Sequence, residues 1–433
     1  MKLGRISILA IATVSTIAVS TLLNVSVSTN KFNVTYPSVV CPPNIPSLST
    51  AISLSSPKTP IRKTGSQSMK FSAAGVRRYA LASQSAVIDA GAVTPVVWQV
   101  STGVWAGAVT CSAPVSSQWF VGATGDITSK GSLNLVNSGL GKAVVRVTVF
   151  SENGELTPRD IIIRANSYVQ LPLPSLAPGS KSIAIHIQPK AGRVNGFVVD
   201  ARGRGLRALG GDLINPTGDP VKTIQIPAIP QQTGKKAATP HTLRLLVPGN
   251  VDAHISAEIR STDGTFSPTS LDGQVIAHKK VIEIPFDLIM ASGKFALHIT
   301  SDQPILGSVF SKTISQGKGD FVWSTSAPDL TEFTLATTGL APTLVFTGKS
   351  IRLNAEVTST NGVSKVIDVR GQDIATLVLD DRTRAVTFTK ISPGTSGAAL
   401  ISSKSGYGYI PLTPGSVLTK SSIPSSNIRV LNP

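Results

Sequence analysis

Cysteine, histidine, aromatic and acidic residues are scarce in this chain, and each scarcity limits the kinds of metal, cofactor or catalytic site that it can form. The 433 residues include 2 Cys, 5 His and 23 Asp or Glu, and 5% are aromatic. The histidines show no HxH or HExxH spacing, and no DxDxD-type calcium loop occurs. We therefore expect no metal ion and no cofactor.

Two short segments resemble catalytic motifs but lack what those motifs need. The segment GRGLRA (203–208) has the glycine spacing of a dinucleotide-binding loop, yet glycine and proline residues downstream would break the helix that must follow. Ser396 lies in the turn-like segment PGTSGAAL, but a serine nucleophile needs a histidine base, and no histidine follows His298. The sequence thus favours a protein that is not an enzyme.

Basic residues, in contrast, are plentiful. The chain has 40 Lys or Arg, which gives a formal net charge of +17. A basic exported protein is attracted to anionic polymers and surfaces. The expected partners are an anionic cell-envelope polymer or an envelope protein, and the membrane if the N-terminal leader stays uncleaved. We expect no nucleic acid as a partner.

The N-terminus reads as an export signal. Lys2 and Arg5 precede an uncharged stretch, residues 6–23, and small residues could place a cleavage site after Ser28. Its length lies between a signal-peptide core and a membrane-spanning helix. Residues 1–28 are therefore a signal peptide or a membrane anchor. The protein is expected to be secreted or held at the extracellular face of the cytoplasmic membrane.

The two cysteines, Cys41 and Cys111, suggest a disulfide in an oxidising compartment. The loop-entropy model assigns such a bridge roughly 4 kcal/mol of stabilisation. Two buried thiols are the alternative.

A strand-and-turn pattern recurs three times along the chain. Residues 145–154, 255–264 and 353–362 read VRVTVFSENG, ISAEIRSTDG and LNAEVTSTNG. Apolar residues alternate with polar ones, as in half-buried strands. The Asn-Gly or Asp-Gly that follows indicates a hairpin turn, in which glycine supplies a positive φ. The predicted turn glycines are Gly154, Gly264 and Gly362.

The repeat predicts an all-β fold of three to four tandem immunoglobulin-like β-sandwich modules. A β-propeller-like arrangement is the alternative, but the Gly-centred strands at Gly107, Gly196, Gly307 and Gly397 repeat at spacings of 89, 111 and 90 residues, about twice the usual blade of roughly 40–50. The predicted organisation is a leader (1–28), a Ser/Pro-rich linker (29–70), modules at 71–128 and 129–208, an insertion or linker (209–240), modules at 241–328 and 329–420, and a tail (421–433).

Two groups of side chains stand out as candidate contacts. Arg202, Arg204 and Arg207 lie in one short segment that could form a cationic loop touching anions. Trp105 and Trp119 could stack on a sugar ring or anchor an interface, and the alternative is that they pack between adjacent modules.

Several of these features together resemble an actinobacterial family of secreted or membrane-anchored envelope proteins of unknown function. They are the leader, the early Cys-Pro-Pro, the segment VTCSAP (109–114) followed by Trp119-Phe120, and the repeated turn units. The resemblance implies export and a tandem β architecture over roughly residues 40–410, and it implies no catalytic residues.

The function expected from the sequence is binding or scaffolding at the cell surface by a non-enzymatic exported envelope protein. One alternative is an accessory subunit of a membrane-bound envelope transferase or transporter. Another is a polysaccharide-active envelope hydrolase whose acids meet only in three dimensions.

Overall fold

The computed structural model describes residues 32–46, 48–66, 68–101, 105–231, 239–315 and 317–422. The predicted leader (1–28) lies outside the described residues, as does most of the predicted tail. Nearly all regular structure in the described part is β, which confirms the predicted class. No helix within these ranges is long and apolar enough to cross a membrane.

Two compact units share the chain. The smaller one pairs the two ends of the described chain, in which β1 (Phe32–Thr35) runs antiparallel to the strand Thr419–Ser422. The larger one spans Pro37–Val417 and holds four modules. We define these by their strands as module 1 (39–110), module 2 (118–214), module 3 (221–325) and module 4 (333–411).

Module 1 is a sandwich of two four-stranded sheets. One sheet has the order β2–β7–β4–β5 and the other β10–β9–β3–β6. The strands are β2 (Val39–Cys41), β3 (Ser49–Ser53), β4 (Pro60–Lys63), β5 (Ser72–Ala73), β6 (Arg78–Ala80), β7 (Ala86–Ile88), β8 (Val93–Thr94), β9 (Val96–Ser101) and β10 (Trp105–Thr110).

Module 2 repeats this plan with longer strands. Its sheets have the orders β11–β17–β13–β14, with β15 on β13, and β16–β12–β18–β19. Its elements are β11 (Gln118–Val121), β12 (Ser132–Asn137), β13 (Ala143–Ser151), β14 (Gly154–Glu155), β15 (Arg159–Ile163), β16 (Ser167–Pro172), the short helix α1 (Leu173–Leu176), β17 (Ile183–Ala191), β18 (Val194–Arg204) and β19 (Arg207–Ile214).

Module 3 has the same pairing, but one long strand serves both sheets. The first part of β26 pairs with β20 and β22, and its second part pairs with β21 and β27. The strands are β20 (Val221–Pro230), β21 (Thr239–Leu246), β22 (Ala253–Ser261), β23 (Gly264–Phe266), β24 (Gln274–Ile276), β25 (Val281–Leu288), β26 (Lys294–Ser315) and β27 (Lys318–Thr325).

Module 4 folds a continuous sheet back on itself. The first part of β29 pairs with β32, and after a bulge following Gly348 its second part pairs with β31. The strands are β28 (Phe333–Ala336), β29 (Thr343–Ser359), β30 (Ser364–Val378), β31 (Thr383–Thr389), β32 (Ser396–Ser403) and β33 (Gly406–Pro411), and β34 (Thr419–Ser422) follows as the partner of β1.

The last strands of the four modules, β10, β19, β27 and β33, meet at a common centre, which we call the hub. β10 packs against β19 and β33, and β27 packs against the same two strands. Hydrogen bonds join the hub across modules, since Asn215 Nδ2 donates to Ala108 O (2.9 Å) and Tyr409 O (2.7 Å). β8 of module 1 pairs in parallel with β28 of module 4 and closes the ring.

The architecture therefore combines the two arrangements that the sequence left open. Each module is built from two packed sheet layers, and the four modules surround the hub as blades of a propeller-like ring. The length argument against a propeller was wrong because it assumed one sheet per blade, whereas each blade here contains two layers.

Two predicted linkers are parts of modules. The segment 29–70 contains β2, β3 and β4, and the segment 209–240 contains most of β19 and all of β20. The segment 29–70 is rich in Ser, Pro and Thr, and its strands have only three to five residues, too few to show a clear apolar alternation. Modules 1, 2 and 3 consequently begin at Val39, Gln118 and Val221, ahead of the predicted boundaries.

The disulfide and the turn glycines are where the sequence placed them. Cys41 at the end of β2 is bonded to Cys111, directly after β10, so the bridge joins the first and last strands of module 1. Gly154, Gly264 and Gly362 have φ values of 127°, 126° and 92°. A side chain would strain the backbone in that region, which explains the repeated glycine.

Candidate functional site

A cleft of about 610 Å³ lies between modules 3 and 4. Strands β20, β22 and β26 form its wall on module 3. The connector 326–329, the bend of β29 and the loop before β32 form the wall on module 4. Its volume falls in the range of about 300–1,000 Å³ that is usual for small-molecule sites.

Three side chains in the cleft carry polar atoms without a hydrogen-bond partner. They are Gln225 Oε1 on β20, Arg260 Nε on β22 and His298 Nδ1 on β26. Gln225 and His298 are cross-strand partners, and Arg260 lies on the strand on the other side of β26. Leaving such an atom buried and unpaired costs about 1–3 kcal/mol, so three of them on one cavity wall indicate a place prepared for other polar groups.

Two of these side chains are held by hydrogen bonds from another of their polar atoms. Gln225 Nε2 donates to Gly394 O (3.2 Å) and to Ser396 Oγ (3.1 Å). Arg260 Nη2 donates to Glu258 Oε2 (3.2 Å). These bonds hold the side chains of Gln225 and Arg260, whose unpaired atoms Gln225 Oε1 and Arg260 Nε are buried.

The cleft carries charge of both signs. Arg260 and Lys349 supply positive charge, and Asp219 and Asp329 supply carboxylates. Burial lowers the pKa of His298, and the nearby Arg260 and Lys349 lower it further against the opposing effect of Glu258. His298 is therefore neutral at pH 7, and its buried Nδ1 has no hydrogen-bond partner.

The hub holds a group of buried carboxyl groups. Asp212 accepts hydrogen bonds from Leu213 N (2.8 Å) and Trp323 N (2.7 Å), and Asp320 accepts one from Gly211 N (3.0 Å). Burial raises the pKa of Asp212 well above its usual range and that of Asp320 to about 7. These carboxyl groups join strands of modules 2 and 3.

The three arginines predicted to form a cationic loop are not equivalent. Arg204 and Arg207 are exposed at the tip of the β18–β19 hairpin. Arg202 points the other way: it pairs with the buried Asp200 (2.8 Å), and its guanidinium lies over the rings of Phe310 and Phe321. Its assignment to the loop is wrong because an acid two residues earlier on the same strand face draws it inward.

Both tryptophans are buried between modules. Trp105 is 6% exposed and lies in the hub. Trp119 is 7% exposed and stacks on the His186 ring at a centroid distance of 3.8 Å. Neither ring presents an open face to solvent, so the packing alternative describes their position.

The histidines and Ser396 are arranged without the features of a metal site or a triad. His241 is buried between Ser311 Oγ and Gln231 Oε1, and His278 contacts Asp252. Among the described residues no group of three or more His, Cys, Asp or Glu is placed to hold a metal ion. Ser396 shares the cleft with His298, yet its Oγ accepts from the Gln225 amide rather than bonding to an imidazole.

Sequence reasoning missed the three cleft residues for separate reasons. Gln225 lies in the segment interpreted as a linker, and strand alternation placed Arg260 on a solvent face. His298 lies in the segment FALHIT, which matches IAIHIQ around His186, so the repeat favours a structural role for both, and each lies opposite the first strand of its module. The repeat offered one usable signal, because it aligns Arg260 with Phe150, four residues before the turn glycine.

The chain matches the sequence model of one protein family. That family is described as "Family of unknown function (DUF5719)", and the match spans residues 69–379, more than two thirds of the chain. The matched region contains Gln225, Arg260, His298 and Lys349. No curated protein matches the chain.

Proposed function

Since the chain belongs to DUF5719, a family of unknown function, we propose that it is a non-enzymatic exported envelope protein that binds an envelope component in the cleft between modules 3 and 4. One observation carries the proposal: Gln225, Arg260 and His298 all line the same cleft, and each has a buried polar atom without a hydrogen-bond partner. A site that only sealed two modules together would satisfy or remove these atoms.

Export is supported by the sequence of the N-terminus and by the disulfide. The basic and then apolar leader is typical of an export signal, and a bond such as Cys41–Cys111 persists in oxidising compartments. The net charge of +17 favours attraction to an anionic envelope polymer. Protein partners in the envelope, and the membrane if the leader is retained, belong to the same proposal.

The test is retention of the full-length protein on native envelope material, at low salt and at about 0.5 M salt, where exposed charges are strongly screened. The informative variant is Gln225→Trp, which fills the cleft with a side chain. Arg204→Gln on the exposed hairpin is the control, because it removes a charge and leaves the cleft intact.

We expect retention that survives salt, is lost in Gln225→Trp and is unchanged in Arg204→Gln. Retention that disappears in salt for every variant would mean that the overall charge makes the contact, and it would refute the cleft as the binding site.

A polysaccharide hydrolase is the second candidate, because the carboxylates of Asp219 and Asp329 both line the cleft. A glycosidase needs two facing acids. Release of reducing sugar from envelope polysaccharide, lost in Asp219→Asn and Asp329→Asn, would favour this candidate over binding alone.

A further inference from the structure

The unpaired atoms of the cleft define what kind of group fits there. Arg260 Nε is a donor that belongs to a permanently charged guanidinium. His298 Nδ1 is a donor when the proton of the imidazole is on that nitrogen. Gln225 Oε1 is an acceptor that needs a donor such as a hydroxyl. The site thus offers donors for an anion and one acceptor for a neutral group.

The charges around His298 favour an anion at the donor end. Arg260 on β22 and Lys349 on β29 both act on the imidazole as positive charges, and the carboxylate of Glu258 opposes them. Glu258 is already bonded to Arg260 Nη2, so it neutralises part of the guanidinium and leaves Nε free. The carboxylates of Asp219 and Asp329 also line the cleft and balance the two positive charges, but neither is among the charges that shift the pKa of His298.

The remaining walls suit a sugar ring better than a bare ion. Ile224, Ala327, Pro328 and Pro393 supply apolar surface, and Ser326 and Ser396 supply hydroxyl groups. The volume of about 610 Å³ is far larger than a bare anion needs. Apolar walls with a few convergent polar groups are typical of sites for small organic ligands.

We propose that the cleft binds a sugar unit bearing a carboxylate or a phosphate, with the anion at Arg260 Nε and His298 Nδ1 and a sugar hydroxyl donating to Gln225 Oε1. This deepens the proposed function and rests on it, because it names the chemical class of the envelope component.

The experiment titrates the full-length protein with four probes and measures affinity by ligand-observed NMR. Glucuronic acid carries the carboxylate, glucose 6-phosphate carries the phosphate, glucose is the neutral counterpart, and inorganic phosphate is the anion alone. We expect one or both charged sugars to bind at least about tenfold more tightly than glucose and inorganic phosphate, since hydrogen bonds to charged groups are worth about 1.5–3 kcal/mol.

Three variants localise the effect. Arg260→Gln should weaken the charged sugars at least tenfold. Because Arg260 is buried and its loss could disturb folding, the exposed Lys349→Gln provides a second variant and should weaken them several-fold. The control Arg204→Gln, which removes an exposed charge far from the cleft in sequence, should leave every affinity unchanged.

Glucose binding as tightly as both charged sugars would overturn the inference, as would equal binding of inorganic phosphate or charged-sugar binding that neither cleft variant alters. Its failure is distinguishable from that of the proposed function. If Gln225→Trp abolishes envelope retention while no charged sugar binds, the cleft remains the site and only the ligand class is wrong. If charged sugars bind but retention on envelope material is unchanged in Gln225→Trp, the proposed function fails.

Discussion

The same three strand positions pack against the next module in module 2 and line an open cleft in module 3. In module 2 they hold Trp119, Phe150 and His186, and in module 3 they hold Gln225, Arg260 and His298. The backbones match as well: Thr217 N donates to Trp119 O (2.8 Å), and Ala327 N donates to Gln225 O (2.8 Å). One scaffold therefore presents two different sets of side chains at one place.

At the junction of modules 2 and 3 these side chains form a packed seam. Trp119 lies 5.9 Å from the Phe150 ring, and both join a cluster with Leu246, Val281 and Leu306 of module 3. Ser117 Oγ hydrogen bonds to His186 Nε2 (3.0 Å). At the junction of modules 3 and 4 the equivalent side chains line a cavity and stay partly unpaired.

The difference shows how a repeat can turn one of its junctions into a site. A large aromatic side chain at the Trp119 position fills the space beside the next module and stabilises the ring. Glutamine at the equivalent position leaves that space open and lined by polar groups. Two side-chain differences, Trp119 against Gln225 and Phe150 against Arg260, separate a structural junction from a candidate binding site without any change of strand plan.

The largest effect is expected from removing the side chain that fills the seam. Trp119→Ala should lower the free energy of unfolding by about 3–5 kcal/mol, because a buried tryptophan leaves a cavity. The matched Gln225→Ala should lower it by only about 1 kcal/mol, the worth of its hydrogen bonds to Gly394 and Ser396. Urea denaturation measures both, and equal losses would contradict the distinction between seam and cleft.

The hub that anchors both junctions should set the pH dependence of stability. Burial raises the pKa of Asp320 to about 7 from 3.8, so the folded protein holds a proton that the unfolded chain releases. The stabilisation is complete below about pH 4 and is lost as the pH rises through 7, by up to about 1.4 kcal/mol per pH unit.

Denaturation of the wild type and of Asp320→Asn between pH 4 and pH 8 measures this effect. Asp320→Asn should lose the contribution of Asp320 to this slope and keep that of Asp212, whose pKa burial also raises, whereas the exposed control Arg204→Gln should keep the whole slope. An identical slope in the wild type and in Asp320→Asn would place the titrating group elsewhere than Asp320.

Giving a cleft position the side chain that the seam has there should abolish binding and leave stability nearly unchanged. In Arg260→Phe the guanidinium is replaced by the side chain of the equivalent Phe150, and one unpaired buried donor disappears. Replacing a buried polar group by an apolar one of similar size is often nearly neutral, so we expect a stability change within about 1 kcal/mol. Binding of the charged sugar should be lost, and a variant that still binds with wild-type affinity would refute the role of Arg260.

The smallest effect concerns the pH dependence of binding. The pKa of free His298 is lowered by burial and by Arg260 and Lys349, and a bound anion would raise it again. The complex therefore takes up a proton, and affinity should increase about three- to tenfold between pH 7.5 and pH 5.5. His298→Gln should flatten this dependence, and an unchanged slope in that variant would assign it to another group.

Much of the fold could be predicted because strand alternation and turn chemistry act locally. The turn glycines and the pairing of Cys41 with Cys111 depend on few neighbours, and both are confirmed. The sequence left the ring as an alternative to tandem modules, because the hub depends on contacts between strands one hundred to two hundred residues apart, such as those of Asn215 with Ala108 and Tyr409.

The cleft escaped prediction because burial of an outward-facing side chain depends on the neighbouring module. Alternation correctly places Arg260 opposite the inner residues of β22, yet module 4 covers that face, and the side chain is 3% exposed. The prediction that Arg202 belongs to an exposed cationic loop failed for a related reason, because its guanidinium lies over the rings of Phe310 and Phe321 of module 3. No pattern within a single module records what the next module contributes.

Side-chain ¹⁵N NMR of His186 and His298, recorded as the charged sugar is added, tests the central claim most directly, because both histidines occupy the same position in their modules. The account predicts a large change at His298 Nδ1 on saturation and none at His186, whose ring is covered by Trp119. An unchanged ¹⁵N signal of His298 in the saturated protein, or an equal change in the signals of both histidines, would contradict it.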